Sequence, residues 1–221
     1  MNKLIIFFLL ILCSISHSQD FDKLANAVVD KDLNTLDSLL QTGIDVNITE
    51  EERGATVLII ASSFKDYEDV VSFLISSGAD VNFIGKDGRT PLIWAAGNSF
   101  ESTKILLENG ASVNAKGNDG MTAFIQSTFG ILSKKVSTDV MDLLFENGAD
   151  INSTLSGKNA AGWTSMHFAA INGDIELVHY LIHHNANVNH TSDEGSTALS
   201  LARQEKYKAL VNLLKEHGAL D

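Results

Sequence analysis

GRTPLIWAAGNSFESTKILLENGASVN, residues Gly88 to Asn114, is the stretch that decides the fold. Thr90 can cap a helix through its hydroxyl. Pro91 takes the first helical position, where the N–H it lacks would have found no partner anyway. Ile93, Trp94, Ala95 and Ala96 continue the helix, with two alanines small enough for another helix to lie close, and Gly97-Asn98 break it. A second helix is expected from about Glu101 to Asn109 on the apolar stripe of Ile105, Leu106 and Leu107. Gly110 then supplies the left-handed residue that ends a helix, and Ala111 to Asn114 lead into an extended turn. The unit is helix, turn, helix and a protruding loop.

The same marks recur along the chain. A Gly-x-Thr opening stands at Gly54, Gly88, Gly120, Gly162 and Gly195. The closing element stands at Gly43 to Asn47, Gly78 to Asn82, Gly110 to Asn114, Gly148 to Asn152 and Asn185 to Asn189, with a truncated copy at Gly218 to Asp221. The openings repeat roughly every 33 residues, with the third interval stretched to about 42. Thr90-Pro91-Leu92 followed by Ala95-Ala96, and Thr164-Ser165-Met166-His167-Phe168-Ala169-Ala170, resemble the first helix of the ankyrin repeat. The resemblance covers about Asp20 to Asp221. It implies an all-α solenoid of stacked helix-turn-helix units with protruding, β-hairpin-like loops. Val57, Ala123, Ser165 and Ala198 replace the family's proline, and Asn185 replaces a closing glycine, a position where asparagine also tolerates the left-handed conformation.

The expected organisation is one elongated domain over residues 19–221. It comprises an N-terminal cap at 20–49, repeats at about 54–87, 88–119, 120–161 and 162–194, and a C-terminal cap at 195–221. Both caps look atypical, as a unit with one neighbour should. The repeat from Gly120 is about six residues longer between its glycines than the one before it, with the excess expected near Phe129 to Ser137, and the loop after Gly148 is long as well. Insertions in repeat proteins fall in loops, often on the binding face.

Residues 1–18 read as an export signal: Lys3, an apolar run from Leu4 to Leu12 too short to span a bilayer, and small residues at Ser16 and Ser18. The mature chain is then periplasmic or secreted and without cysteine. Lipid anchoring at Cys13 is the minor alternative, weakened by Leu12 in front of it. A formal net charge of −12, made more negative by loss of Lys3, argues against nucleic-acid and anionic-membrane partners, and none of the loops is read as holding a basic cluster.

No catalytic constellation appears: there is no Gly-rich phosphate loop and no Gly-x-Ser-x-Gly, so the chain is read as non-enzymatic and without a cofactor. His167 takes the position of the family's helix-starting histidine, which bridges repeats. His179 and His183, one turn apart on the outer side of their helix, are the candidate metal ligands, but they lack a carboxylate or cysteine partner. The sequons at Asn47, Asn152 and Asn189 coincide with the closing asparagines, whose side chains brace the loops in this family.

A partner protein is the remaining expectation, bound by a monomer through the concave surface and the loop tips. The residue between glycine and threonine, namely Ala55, Arg89, Met121, Trp163 or Ser196, is expected on that side. The first-helix ends add Phe64, Asn98, Phe129, Ile171 and Asn172, whereas Trp94 is assigned to the core. The candidate contact set is Phe64, Arg89, Asn98, Met121, Phe129, Trp163, Ile171 and Asn172. Within it Met121, Phe129, Trp163 and Ile171 are expected to form an exposed apolar cluster; the competing reading is that the inserted segment folds over and buries them. Narrower alternatives are a periplasmic inhibitor or immunity protein for a toxin or enzyme, and a metal-handling or oxidative-stress protection protein using surface histidines.

Overall fold

A computed structural model describes residues 19–158 and 160–220; the expected export signal and Cys13 lie outside the described residues. The described residues run through six helix pairs. The first pair is α1 (19–29) and α2 (Leu33–Gln41). Then follow α3 (Val57–Ser62) with α4 (Glu68–Ser76), and α5 (Pro91–Ala96) with α6 (Phe100–Glu108). The last three pairs are α7 (Ala123–Leu132) with α8 (Asp139–Glu146), α9 (Ser165–Ile171) with α10 (Ile175–His183), and α11 (Ala198–Gln204) with α12 (Lys208–Glu216).

The first helices start where the threonines stand. The hydroxyls of Thr56, Thr122 and Thr197 accept the N–H groups of Ile59, Ile125 and Ser200 at 3.4, 3.2 and 3.1 Å. Thr90 departs from the expectation: it makes no side-chain cap bond, and its buried hydroxyl has no partner among the described residues. It precedes Pro91, whose fixed φ already shapes the helix start.

Successive first helices lie side by side, α3 on α5 on α7 on α9 on α11, with second helices packed behind them. One contiguous apolar core runs from Phe21 to Leu214, so no repeat buries its own face alone. Among the described residues there is no regular strand. The loops are hairpin-like in their pairing: Gly85 N–H donates to Arg89 O at 3.0 Å, and Gly117 N–H to Met121 O at 2.8 Å.

Two ladders tie loop to loop. In the first, the backbone N–H groups of Lys86, Asn118, Ser156 and Asp193 donate to the carbonyls of Arg53, Asp87, Asp119 and Ala161 at 2.7 to 3.1 Å. That stacking explains the opening glycine. Gly88 has φ +80°, and a Cβ on it would lie 2.5 Å from the Asn118 nitrogen. In the second ladder each closing asparagine clasps the next repeat. Asn114 donates to Gly148 O at 2.8 Å and accepts from Asp150 N–H at 2.9 Å; Asn47, Asn82 and Asn189 repeat the pattern. The amide groups of two sequons, Asn47 and Asn189, are therefore engaged at both ends, and the Asn152 oxygen accepts from Asn187. A glycan on the nitrogen of Asn47 or Asn189 would crowd the bond it makes to Gly78 or Gly218.

The insertion lengthens the first helix of its repeat: α7 has 10 residues against 6 in α5. Gly130, near its end, lies against Gly97, where a Cβ would stand 2.6 Å from the Gly97 oxygen and 2.7 Å from Val136. Two glycines back to back let the longer helix settle against the preceding turn.

Candidate functional site

The expected apolar cluster is present but is not exposed. Met121 is only 6% exposed and packs with Ile93, Ile125 and Leu155 in a small second core. Phe129 is half-buried against it, with its ring 4.7 Å from that of Phe168. Trp163 is half-buried, 5.1 Å from Phe168 and 5.7 Å from His167, and Ile171 packs on the main core. The cover comes from the long loop after Gly148, whose Leu155 and Ala160 close over the cluster. The assignment of Met121 to an open surface is thus corrected: the competing burial reading holds for it, by way of the loop rather than of the longer helix. Asn172 stays exposed and binds its own helix through Phe168 O at 2.8 Å.

Trp94 is corrected in the opposite direction. It is half-exposed at the fourth residue of its helix, a position taken in neighbouring repeats by Ile60, Gln126 and Phe168, all likewise partly open. Arg89 covers one side of the indole, its guanidinium carbon 5.1 Å from the ring centroid, in a cation–π geometry. The same guanidinium reaches Asp119 of the next loop at 2.8 Å. Burial pushes the Asp119 carboxyl up, but the Met121 N–H and the Arg89 contacts outweigh it and hold the group below its ordinary value. Arg89 and Trp94 are therefore fixed before any partner arrives. Between the loops and the first helices Trp94 borders a groove of about 210 Å³ with Ile59 and Ile60 on its apolar side and Arg53 and Asp87 at its charged rim.

Phe64 and Asn98, two other expected contact residues, meet elsewhere, at the turns between first and second helices. With Ser63 they share a hollow with Lys65, Lys134 and Lys135. No single loop contains this basic group; stacking assembles it from two turns well separated in sequence.

The histidines fall into pairs. His167 is buried, with Nδ1 accepting the Thr164 N–H at 3.3 Å and Nε2 3.0 Å from the Ser196 carbonyl of the next repeat. Only the Nε2–H tautomer serves both contacts, so the ring bridges repeats as a neutral group. Burial, with His190 adding a like charge, holds its pKa below the ordinary value. His179 faces His217 with ring centroids 5.8 Å apart, and His183 faces His184 at 5.4 Å. Among the described residues no three metal-ligating side chains converge. Tyr180 donates to Asp142 at 2.6 Å, and burial together with that acceptor raises its pKa.

Helices of six to eleven residues stacked by loop ladders, with a fixed aromatic and guanidinium groove on the loop side, define a repeat solenoid that presents a surface. The chain belongs to the ankyrin-repeat family: the family model for ankyrin repeats in three copies matches residues 24–117, 86–155 and 129–220. Repeats of this family typically mediate protein–protein interaction. An ankyrin repeat protein of fowlpox virus is 30% identical over 168 residues, which are 72% of this chain and 47% of the viral protein. The ankyrin repeat protein YahD of Escherichia coli is 29% identical over 193 residues, 85% of this chain and 92% of YahD. The human 2-5A-dependent ribonuclease is 40% identical over 78 residues, 35% of this chain and 10% of the ribonuclease. The chain thus spans about half or less of the viral and human relatives and nearly all of YahD. No helix among the described residues is long and apolar enough to cross a membrane.

Proposed function

We propose that this chain is an exported, monomeric and non-enzymatic binding module that holds a partner protein in the groove between its loops and first helices. The observation that carries the reading is the Arg89–Trp94 pair beside Ile60: a half-open indole held in place by a guanidinium, next to an apolar hollow with a charged rim. Trp and Arg are the residues that most often dominate protein interfaces, because they bury large area with few side-chain freedoms left to lose. Residues 1–18 serve in this reading as the export signal, which places the partner in the periplasm or outside the cell.

The test is crosslinking in the native compartment followed by mass spectrometry, with the wild type beside Ile60→Ala/Trp94→Ala. The double variant should lose at least ~10-fold in capture of the specific partner while its far-UV circular dichroism stays unchanged. Undiminished capture would move the contact face elsewhere. A chain recovered from the cytoplasm with Met1 and residues 1–18 still attached would remove the export arm.

A further inference from the structure

We propose that the turn edge of the solenoid carries a second docking site, for an acidic segment of a partner protein, formed by Lys65, Lys134 and Lys135 around Phe64 and Asn98. The hollow measures about 430 Å³, and no carboxylate lines it. Lys65 and Lys134 make no ion pair among the described residues, and Lys135 Nζ meets only the neutral Asn98 Oδ1 at 3.2 Å. Three lysines thus line one hollow with no carboxylate in its lining, in a chain whose formal net charge is −12; the nearest acids, Asp66, Glu68 and Glu101, line the adjoining hollow. Solubility does not need them there, since the acidic surplus already supplies it, and their mutual repulsion is relieved when an anionic group enters the hollow.

The second half of the site is apolar. Phe64 is 43% exposed and stacks on Tyr67 at 5.0 Å. Tyr67 is itself tied down, its hydroxyl donating to Val29 O at 2.8 Å and Lys31 Nζ standing 4.4 Å above its ring. The Phe64 ring is thus preorganised to receive an apolar side chain. A bare phosphate or a lipid headgroup has no use for that ring. Nucleic acid needs a longer basic track than this one, which ends at Asp66, Glu68 and Glu101 in the adjoining hollow. A short run of Asp and Glu carrying one aromatic residue uses both halves. The geometry of the longer α7 supports the assignment, because the close Gly97–Gly130 approach sets Lys134 and Lys135 beside the Phe64 turn. Of the residues lining the two hollows only Ser63 is common to both, and no test substitution touches it, so either site can fail alone.

The test titrates the peptide Asp-Glu-Phe-Glu-Asp, blocked at both ends, into the purified ¹⁵N-labelled protein. Amide shifts are expected at Phe64, Lys65, Asn98, Lys134 and Lys135. The affinity should fall on the order of tenfold between ~20 and ~200 mM salt. A similar loss is expected in Lys65→Gln/Lys134→Gln/Lys135→Gln, and none in Trp94→Ala. The proposal is overturned by shifts confined to other residues, by no shift at up to ~5 mM peptide, or by equal binding of the peptide with Asn and Gln in place of its acids. Phosphatidylglycerol vesicles or a single-stranded oligonucleotide shifting the same amides at lower concentration than the peptide would overturn it too.

Discussion

His167 is where a single side chain links pH to the integrity of the stack. Burial, its first cause, together with the nearby His190 keeps the folded-state pKa below the ordinary value of about 6.5. The unfolded chain therefore takes up a proton, as pH falls through that value, that the folded chain refuses. The stabilisation is fully present above pH 6.5 and is lost below it, by up to about 1.4 kcal/mol per pH unit. Urea unfolding at pH 7.5 and 5.5 should show this slope in the wild type and a shallower one in His167→Gln; equal slopes would place the titration elsewhere. Asn114 makes a different kind of contribution. Its amide serves one acceptor and one donor of the next repeat, so Asn114→Ala should cost about 1–2 kcal/mol, moderated because water can reach the freed groups. A urea midpoint unchanged within error would mean that the clasp is ornamental. The burial of Met121 has its own consequence: Met121→Ala should destabilise by about 2–3 kcal/mol, reporting on packing and not on partner contact.

At the scale of the element, α7 is the informative helix. Gly130→Ala drives a methyl into the Gly97 backbone, so the helix must back away, at an expected cost of about 1–3 kcal/mol and with displacement of the turn that carries Lys134 and Lys135. Gly157→Ala, where the nearest atom would be 3.7 Å away, is the matched control and should be neutral in the same denaturation measurement. The contrast also shows what was legible beforehand. Helix starts and stops are encoded by residues within one turn of the boundary, Thr56 and Thr122 among them, so the pattern alone locates them. Exposure is not encoded that way. The position of Met121 between the glycine and threonine of its opening points to the open side, but Leu155, far along the chain, closes over it. Trp94 looked buried because the family places leucine there, yet Arg89 props the larger indole in a half-open position. The Lys65, Lys134 and Lys135 group was invisible for the same reason, since only stacking brings the two turns together.

For the whole molecule, the ladders and the helix contacts join each repeat to its neighbours, which makes stability a sum of local terms and nearest-neighbour interfaces. The two tryptophans report on different parts of that chain: Trp94 sits in the pair α5–α6, and Trp163 opens the pair α9–α10. Weakening the last pair should therefore be felt by Trp163 before Trp94. Leu210 is fully buried in α12 at the C-terminal end of the stack, and Leu210→Ala removes its contacts at an expected cost of about 2–4 kcal/mol. In that background, Trp94→Phe leaves Trp163 as the sole emitter and Trp163→Phe leaves Trp94. The Trp163 transition should then move to lower urea than the Trp94 transition, with the separation widening as the last pair is weakened. Coincident transitions would mean that the stack unfolds as one cooperative unit, because different probes report the same curve only when no partly folded state is populated. Separated transitions would mean that the Arg89–Trp94 groove survives loss of the C-terminal pair, so that the proposed contact face keeps its shape even while the far end of the solenoid opens.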